Sequence, residues 1–243
     1  MKKAISSRQN PLFKRIREAI RDHAAEIVIE GPKQVADALR AGWTPIAVAT
    51  RDLQSPLPAR GERGLEVTFT ADLFDALAET KTPQNMIALF ERPRASASEI
   101  LGRRDTVAVA LDGVQDPGNV GTIVRLAAAF DAAGVLLLPG CADAFGPKAI
   151  RSSAGAILSV PVASVTAREL LARPLFVADM HGESIDPPAR DAVLVFGSEG
   201  AGVSEEIRSA ARAISIAMSG RVESLNVAAS AAILLSRSYA ARR

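Results

Sequence analysis

Residues 217–229 read Ala-Met-Ser-Gly-Arg-Val-Glu-Ser-Leu-Asn-Val-Ala-Ala. A short apolar run over 214–217 leads into this stretch and predicts a strand. The chain then enters a loop of small residues that ends at Ser224-Leu225-Asn226, and an alanine-rich helix is expected over 226–240. Two earlier segments share this build: Leu111-Asp112-Gly113-Val114-Gln115-Asp116-Pro117-Gly118-Asn119-Val120-Gly121 and Phe196-Gly197-Ser198-Glu199-Gly200-Ala201-Gly202. Each is a polar, glycine-containing loop at the carboxyl end of an apolar strand, which is where α/β sheets bind ligands.

Working outward, strands are expected over 107–111, 135–138, 175–178 and 193–196, and helices over 119–130, 147–156 and 204–211. Near-continuous apolar strands between helices imply a parallel sheet covered on both faces. Ser204 suits an N-cap, and Glu205 and Glu206 suit the positive end of that helix. Before this unit lies a smaller α/β unit. It has a basic helix near 10–21, strands over 26–30, 45–49, 65–69 and 86–90, and helices from 32 to 41 and over 71–79. The short, charged segment Glu91-Arg92-Pro93-Arg94-Ala95-Ser96-Ala97-Ser98 reads as a linker.

Composition narrows the class. The chain has 243 residues, 48% of them hydrophobic, enough for one large or two modest cores. No apolar run reaches the ~20 residues of a membrane span, and the start Met1-Lys2-Lys3-Ala4-Ile5 lacks a signal-peptide apolar region. The single Cys141 excludes an internal disulfide and a cysteine-cluster zinc site. These features point to a cytoplasmic protein with no membrane partner and no metal. The net charge of +2 is uneven, because residues 1–24 hold seven basic side chains against two acidic ones. Such an end suits a phosphate backbone, and it equally suits a solvated helix face. Aromatic residues are 4% of the chain, which argues against base-stacking platforms.

The glycine loops are neither a dinucleotide fingerprint nor a Walker loop, because no Gly-Lys-Ser/Thr follows them. In the helix expected over 119–130, Ile123, Leu126, Ala127 and Phe130 form an apolar stripe, and Arg125 lies roughly opposite it. Arg125 reads either as a solvent-facing side chain or as part of a site. Asn119 reads either as a helix cap or as a site residue. His23 and His181 share no metal spacing and read as structural or exposed.

Together the three loops resemble the three signature motifs of the SpoU/TrmH family of RNA ribose methyltransferases, within the SPOUT superfamily. Asp116 to Arg125 resembles the first motif, Phe196 to Val203 the second, and Ile216 to Val227 the third. Ser7-Arg8-Gln9-Asn10-Pro11, Glu30-Gly31 and Thr82-Pro83-Gln84 make the amino-terminal unit similar to the family's L30e-like substrate-binding domain. The resemblance implies an α/β protein with an L30e-like domain over 1–92, a linker over 93–102 and a parallel-sheet trefoil-knot methyltransferase domain over 103–243.

The implied reaction is methyl transfer from S-adenosylmethionine to a ribose 2′-hydroxyl in RNA, with ribosomal RNA favoured over transfer RNA. The resemblance places the cofactor against Gly197, Ile216, Met218 and Leu225, and puts Asn119, Arg125, Glu199, Ser224 and Asn226 at the catalytic positions. Arginine stays protonated in proteins, so Arg125 is expected to bind phosphate and stabilise the developing alkoxide rather than act as a base. Arg8, Lys14 and Arg15 are expected to meet RNA. Lys148 and Arg151, in the variable middle segment, either touch RNA or serve the surface. Family members pair through the knotted domain, so a homodimer is expected. An inactive RNA-binding protein, a transfer-RNA ribose methyltransferase, and a base or small-molecule methyltransferase are the competing readings. Leu126 departs from the Ser or Thr common after the motif arginine, and Gly146 stands where Asn is frequent.

Overall fold

The structure, a computed structural model, describes residues 4–23, 25–51, 64–78 and 84–243. Lys2, Lys3, Thr82, Pro83 and the end of the helix expected over 71–79 lie outside the described residues. The chain divides into two compact units. One comprises Met1–Pro93 with Phe145–Pro147, and the other comprises Arg94–Ala144 with Lys148–Arg243.

In the first unit, α1 (Pro11–Arg21) starts where the Asn10 side chain accepts hydrogen bonds from the Leu12 and Phe13 N–H groups, with Pro11 in the first turn. Phe13, Ile16 and Ala19, three residues apart, form its buried stripe. They pack against a four-stranded sheet ordered β1 (Glu26–Glu30), β4 (Met86–Glu91), β2 (Pro45–Thr50), β3 (Leu65–Thr68). Phe13 meets Phe69 edge-on at 6.1 Å. Helices α2 (Pro32–Arg40) and α3 (Ala71–Asp75) complete the unit.

The second unit opens with α4 (Ala97–Gly102), inside the stretch expected to be a linker. A capping box explains it: the Ser96 hydroxyl accepts from the Glu99 N–H, and the Glu99 carboxylate accepts from the Ser96 N–H. The Ser96 backbone N–H first, and then the Ser96 side chain, hold the Glu99 carboxyl below its usual range. Ala97, Ile100 and Leu101 are buried in the core, so charge and small residues concealed an amphipathic turn.

A six-stranded, all-parallel sheet forms the heart of this unit. Its strands are β5 (Ala108–Asp112), β6 (Val135–Leu137), β7 (Val162–Ser164), β8 (Leu175–Glu183), β9 (Val193–Gly197) and β10 (Arg212–Ile214), in the order β10-β8-β9-β5-β6-β7. From β5 the chain winds outward to β6 and β7, then crosses back to build the other half. The order therefore reverses between β5 and β9. Asp112 and Gly197 are register partners there.

Five more helices join the strands: α5 (Pro117–Ala129), α6 (Pro147–Ser152), α7 (Ala167–Leu170), α8 (Glu205–Ala210) and α9 (Val227–Ala240). Several differ from expectation. The buried stripe of α5 is Val120, Ile123, Val124 and Ala127, whereas Leu126 and Phe130 are half-buried. The helix expected over 147–156 stops at Ser152 because Ala154 and Gly155 take positive φ, and a 3₁₀ turn follows at Ala156–Leu158. The strand expected over 214–217 lies instead at Arg212–Ile214. It pairs with β8 through a register shift, so Ile216 falls in the loop beyond it. β7 and α7 were not expected, being only three and four residues long. Among the described residues, no helix is long and apolar enough to cross a membrane, and no group of His, Cys, Asp or Glu forms a metal cluster.

Candidate active site

The carboxyl ends of β8, β9 and β10 and the start of α9 enclose a cavity of about 420 Å³. From β9 and its following loop come Phe196, Gly197, Ser198, Glu199 and Gly202. From β10 and the long loop after it come Ile214, Ile216, Met218, Ser224 and Leu225, and α9 adds Asn226, Val227 and Ser230. All four expected cofactor residues line this cavity, as do Glu199, Ser224 and Asn226.

Gly197 is indispensable to its shape. The loop after β9 folds back so that Ser198 and Gly202 exchange two backbone hydrogen bonds of 3.0 Å. A Cβ at Gly197 would lie 2.2 Å from the Gly202 backbone, which no rotamer change could relieve. Below the loop, the buried Asp112 carboxylate accepts from the Ser204 N–H at 2.7 Å. That bond ties the end of β5 to the start of α8. Ser204 is the N-cap as expected, but it contributes no side-chain cap bond.

Asn119 does not cap α5. The cap is Asp116, whose Oδ1 accepts from the Asn119 N–H at 3.0 Å while Oδ2 accepts from Lys148 Nζ at 2.7 Å. These contacts, the lysine first, hold the Asp116 carboxyl below its usual range. The Asn119 side chain is thereby released for another use. Asn226 caps α9: its Oδ1 accepts from the Ala228 and Ala229 N–H groups at 2.9 and 3.3 Å. Its oxygen is thus identified, so its amide nitrogen must donate. That nitrogen donates to Asn119 Oδ1 at 3.2 Å, and Asn119 Nδ2 in turn donates to Glu199 Oε1. One polarised chain, Asn226 to Asn119 to Glu199, joins the three loops quoted from the sequence.

Arg125 stands apart. It is exposed on α5, and it does not line the cavity of its own chain. α5 is also drawn very close to α6, since a Cβ on the buried Gly121 would lie 2.2 Å from the Ala149 carbonyl oxygen. Of the expected RNA contacts, Arg8 and Lys14 are exposed. Arg15 is held by Glu26, with Nε–Oε1 at 2.9 Å and Nη2–Oε1 at 2.5 Å. Lys148 pairs with Asp116, and Arg151 is exposed at the end of α6.

Sequence reasoning missed one wall of the cavity. Ala178, Asp179, Met180 and His181 line it from β8. His181 is exposed, as expected, yet it also belongs to this wall. The signal lies in the sheet order, which sets β8 beside β9, and adjacency of strands is not written in a single sequence. Cys141 donates from Sγ to the Leu111 carbonyl at 3.2 Å, and burial pushes its thiol up.

Comparison with known proteins agrees with this geometry. Residues 106–236 match the model of the SpoU rRNA Methylase family. The chain is 32% identical to the 23S rRNA (guanosine(2553)-2′-O)-methyltransferase RlmP of Bacillus subtilis, over 86% of each protein. It is 30% identical to the 23S rRNA (uridine(2479)-2′-O)-methyltransferase of Streptomyces viridochromogenes, over 88% of this chain and 83% of that one. The solved structure of the SpoU methyltransferase AviRb from S. viridochromogenes, in complex with the cofactor AdoMet, superimposes with a TM-score of 0.82. It is 27% identical, over 96% of this chain and 98% of that one. With a parallel sheet, a cavity at the carboxyl ends of its strands and three linked loops of this kind, the chain belongs to the SpoU rRNA methylase family.

Proposed function

We propose that this protein transfers a methyl group from S-adenosylmethionine to a ribose 2′-hydroxyl of ribosomal RNA. The observation that carries the reading is the chain of side-chain hydrogen bonds that links Asn119, outside the cavity lining, to Asn226 and Glu199 within it. The relatives named above act on a guanosine and on a uridine. Common to both is the ribose, so the shared chemistry is that of the sugar rather than the base.

The cavity fits the cofactor in kind. About 420 Å³ lies within the range of small-ligand sites. Ile216, Leu225 and Met218 supply apolar surface, and the tight turn at Gly197 exposes backbone groups. When bound, the sulfonium supplies an electrophilic methyl. The protein's part is to align the hydroxyl oxygen and help its proton leave. Asn226 and Asn119 orient Glu199 through their fixed amides. Ser224, exposed at the mouth, relays the proton. Arg125 binds the phosphate beside the target ribose and stabilises the alkoxide.

Because Arg125 is outside its own cavity, this role calls for a second copy of the chain. α5 and α9 lie side by side, with Phe130 and Tyr239 6.2 Å apart, and Ala128, Ala129 and Ala229 are exposed on them. Small side chains permit close approach of a partner's helices. A homodimer through this domain would bring Arg125 to the neighbouring cavity. A trefoil knot is part of the same reading, since the chain leaves the edge strand β10 and returns to Asn119 near the centre of the sheet. For the first unit the proposal is an L30e-like RNA-binding role in the cytoplasm, supported by the exposed Lys14, Arg17 and Arg21 along one face of α1.

The test uses methyl-labelled S-adenosylmethionine and unmodified ribosomal RNA. Label should enter the RNA, and the phosphodiester beside it should resist alkali, because cleavage there needs a free 2′-hydroxyl. Arg125→Ala should stay dimeric and bind cofactor while losing about two orders of magnitude in rate. Label recovered on a base, or a fully active Arg125→Ala, would refute the assignment.

A further inference from the structure

The wall from β8 sets a carboxylate into the cavity that the three loops do not account for. Asp179 is half-buried and lines the cavity. Its Oδ1 accepts from the His181 backbone N–H at 2.8 Å, a short local bond that fixes the side chain midway along β8. Among the described residues, nothing engages its other oxygen, and no Lys or Arg lines the cavity. The only other carboxylate there, Glu199, has one oxygen committed to Asn119. The cavity is therefore anionic, and Asp179 is its carboxylate on the β8 wall, outside the Asn226–Asn119–Glu199 chain.

We propose that Asp179 is a specificity-determining residue that favours the cationic methyl donor over its spent product. The inference rests on reading the cavity as the S-adenosylmethionine site. At neutral pH that molecule carries a sulfonium, an ammonium and a carboxylate, for a net charge of +1. Methyl transfer turns the sulfonium into a neutral thioether, and S-adenosylhomocysteine has a net charge of zero. Ribose, adenine and the amino-acid end are the same in both. A fixed negative charge on the wall therefore distinguishes the two through the sulfonium alone, and it weakens the grip on the product once the reaction is over. In a half-exposed setting one such charge amounts to a modest factor, because solvent screens it.

Calorimetry of the full-length protein with each ligand tests this without any turnover. Asp179→Asn keeps an oxygen for the His181 N–H but removes the charge. The ratio of the product's Kd to the donor's should fall about fivefold to tenfold in the variant. Sinefungin, which carries an amine in place of the sulfonium methyl, should lose affinity along with the donor. If Asp179→Asn weakens donor and product equally, the carboxylate is recognising ribose hydroxyls or the shared ammonium, and the proposal is overturned. Should the variant not fold, the wild-type protein still decides. The same ratio should shrink as salt is raised, and a ratio indifferent to salt overturns the proposal. Failure of the wild-type protein to bind either ligand would instead overturn the reading of the cavity.

Discussion

Helices α5 and α9 begin at the same site, yet they are capped by different chemistry. Asp116 caps α5 and spends its second oxygen on Lys148, an ion pair with both side chains about half exposed. Asn226 caps α9 and spends its amide nitrogen on Asn119. A carboxylate can only accept, so an aspartate cap ends in a cation at the surface. An amide both accepts and donates, so an asparagine cap passes a hydrogen-bond direction onward, through Asn119 to Glu199. One cap anchors a helix. The other anchors a helix and also orients the site.

The sharpest way to break this comparison is to exchange the asparagine for its acid. Asn226→Asp retains a good N-cap, so stability should change by no more than about 0.5 kcal/mol. It nevertheless removes the donor to Asn119 and sets a carboxylate against Asn119 Oδ1. Asn119 must then turn its amide nitrogen toward the new acid and away from Glu199. Methyl transfer should fall by about two orders of magnitude, the scale of losing an oriented polar group. Asn226→Ala should lose comparable activity and, in addition, about 1 kcal/mol of stability with the cap. Equal activity of Asn226→Asp and wild type in a single-turnover assay would show that the direction of the amide does not matter.

A second, smaller effect concerns what fixes each helix in place. α5 rests on a backbone contact, since Gly121 lets the Ala149 carbonyl approach to where a Cβ would stand. Gly121→Ala must push α5 and α6 apart, and should cost about 1–3 kcal/mol in a denaturant titration. Because Asn119 sits on the displaced turn, activity should fall with stability. A neutral Gly121→Ala would mean that the cap alone locates α5.

What was legible in the sequence follows the same division. The apolar strands announced themselves because β5 and β9 are buried on both faces, and the three loops were visible as polar breaks after them. That Asp116 rather than Asn119 caps α5 was also within reach, since Asp-Pro is a strong start signal. The Asn226–Asn119–Glu199 chain spans 107 and 80 residues of separation and depends on strand order, which local patterning does not encode. The β8 wall was hidden for the same reason. The strand predicted over 214–217 was misplaced because Ile214 and Ile216 are apolar for different purposes. Both line the cavity, but Ile214 does so as a buried residue of the sheet and Ile216 from the loop beyond it.

The smallest effect tests the aspartate cap by pH. The Lys148 hydrogen bond, followed by the Asn119 N–H, holds the folded Asp116 carboxyl below its unfolded value. A lowered folded pKa means that the ionised form is favoured by folding. Its contribution is present above the ordinary aspartate range, near pH 4, and is lost as pH falls through the folded value. Asp116→Asn keeps an oxygen for the cap and has no proton to gain. Its melting temperature should therefore lie slightly below that of wild type at neutral pH, and the gap should narrow as pH drops below about 4. Lys148→Met should remove most of that narrowing, because the larger cause of the lowered pKa is the lysine. Asp116 is exposed and water screens the pair, so the shift in melting temperature should be small and should shrink further in high salt. A gap that widens on acidification would mean that the carboxylate is strained in the folded state, and that the cap of α5 belongs to the site in the way the cap of α9 does.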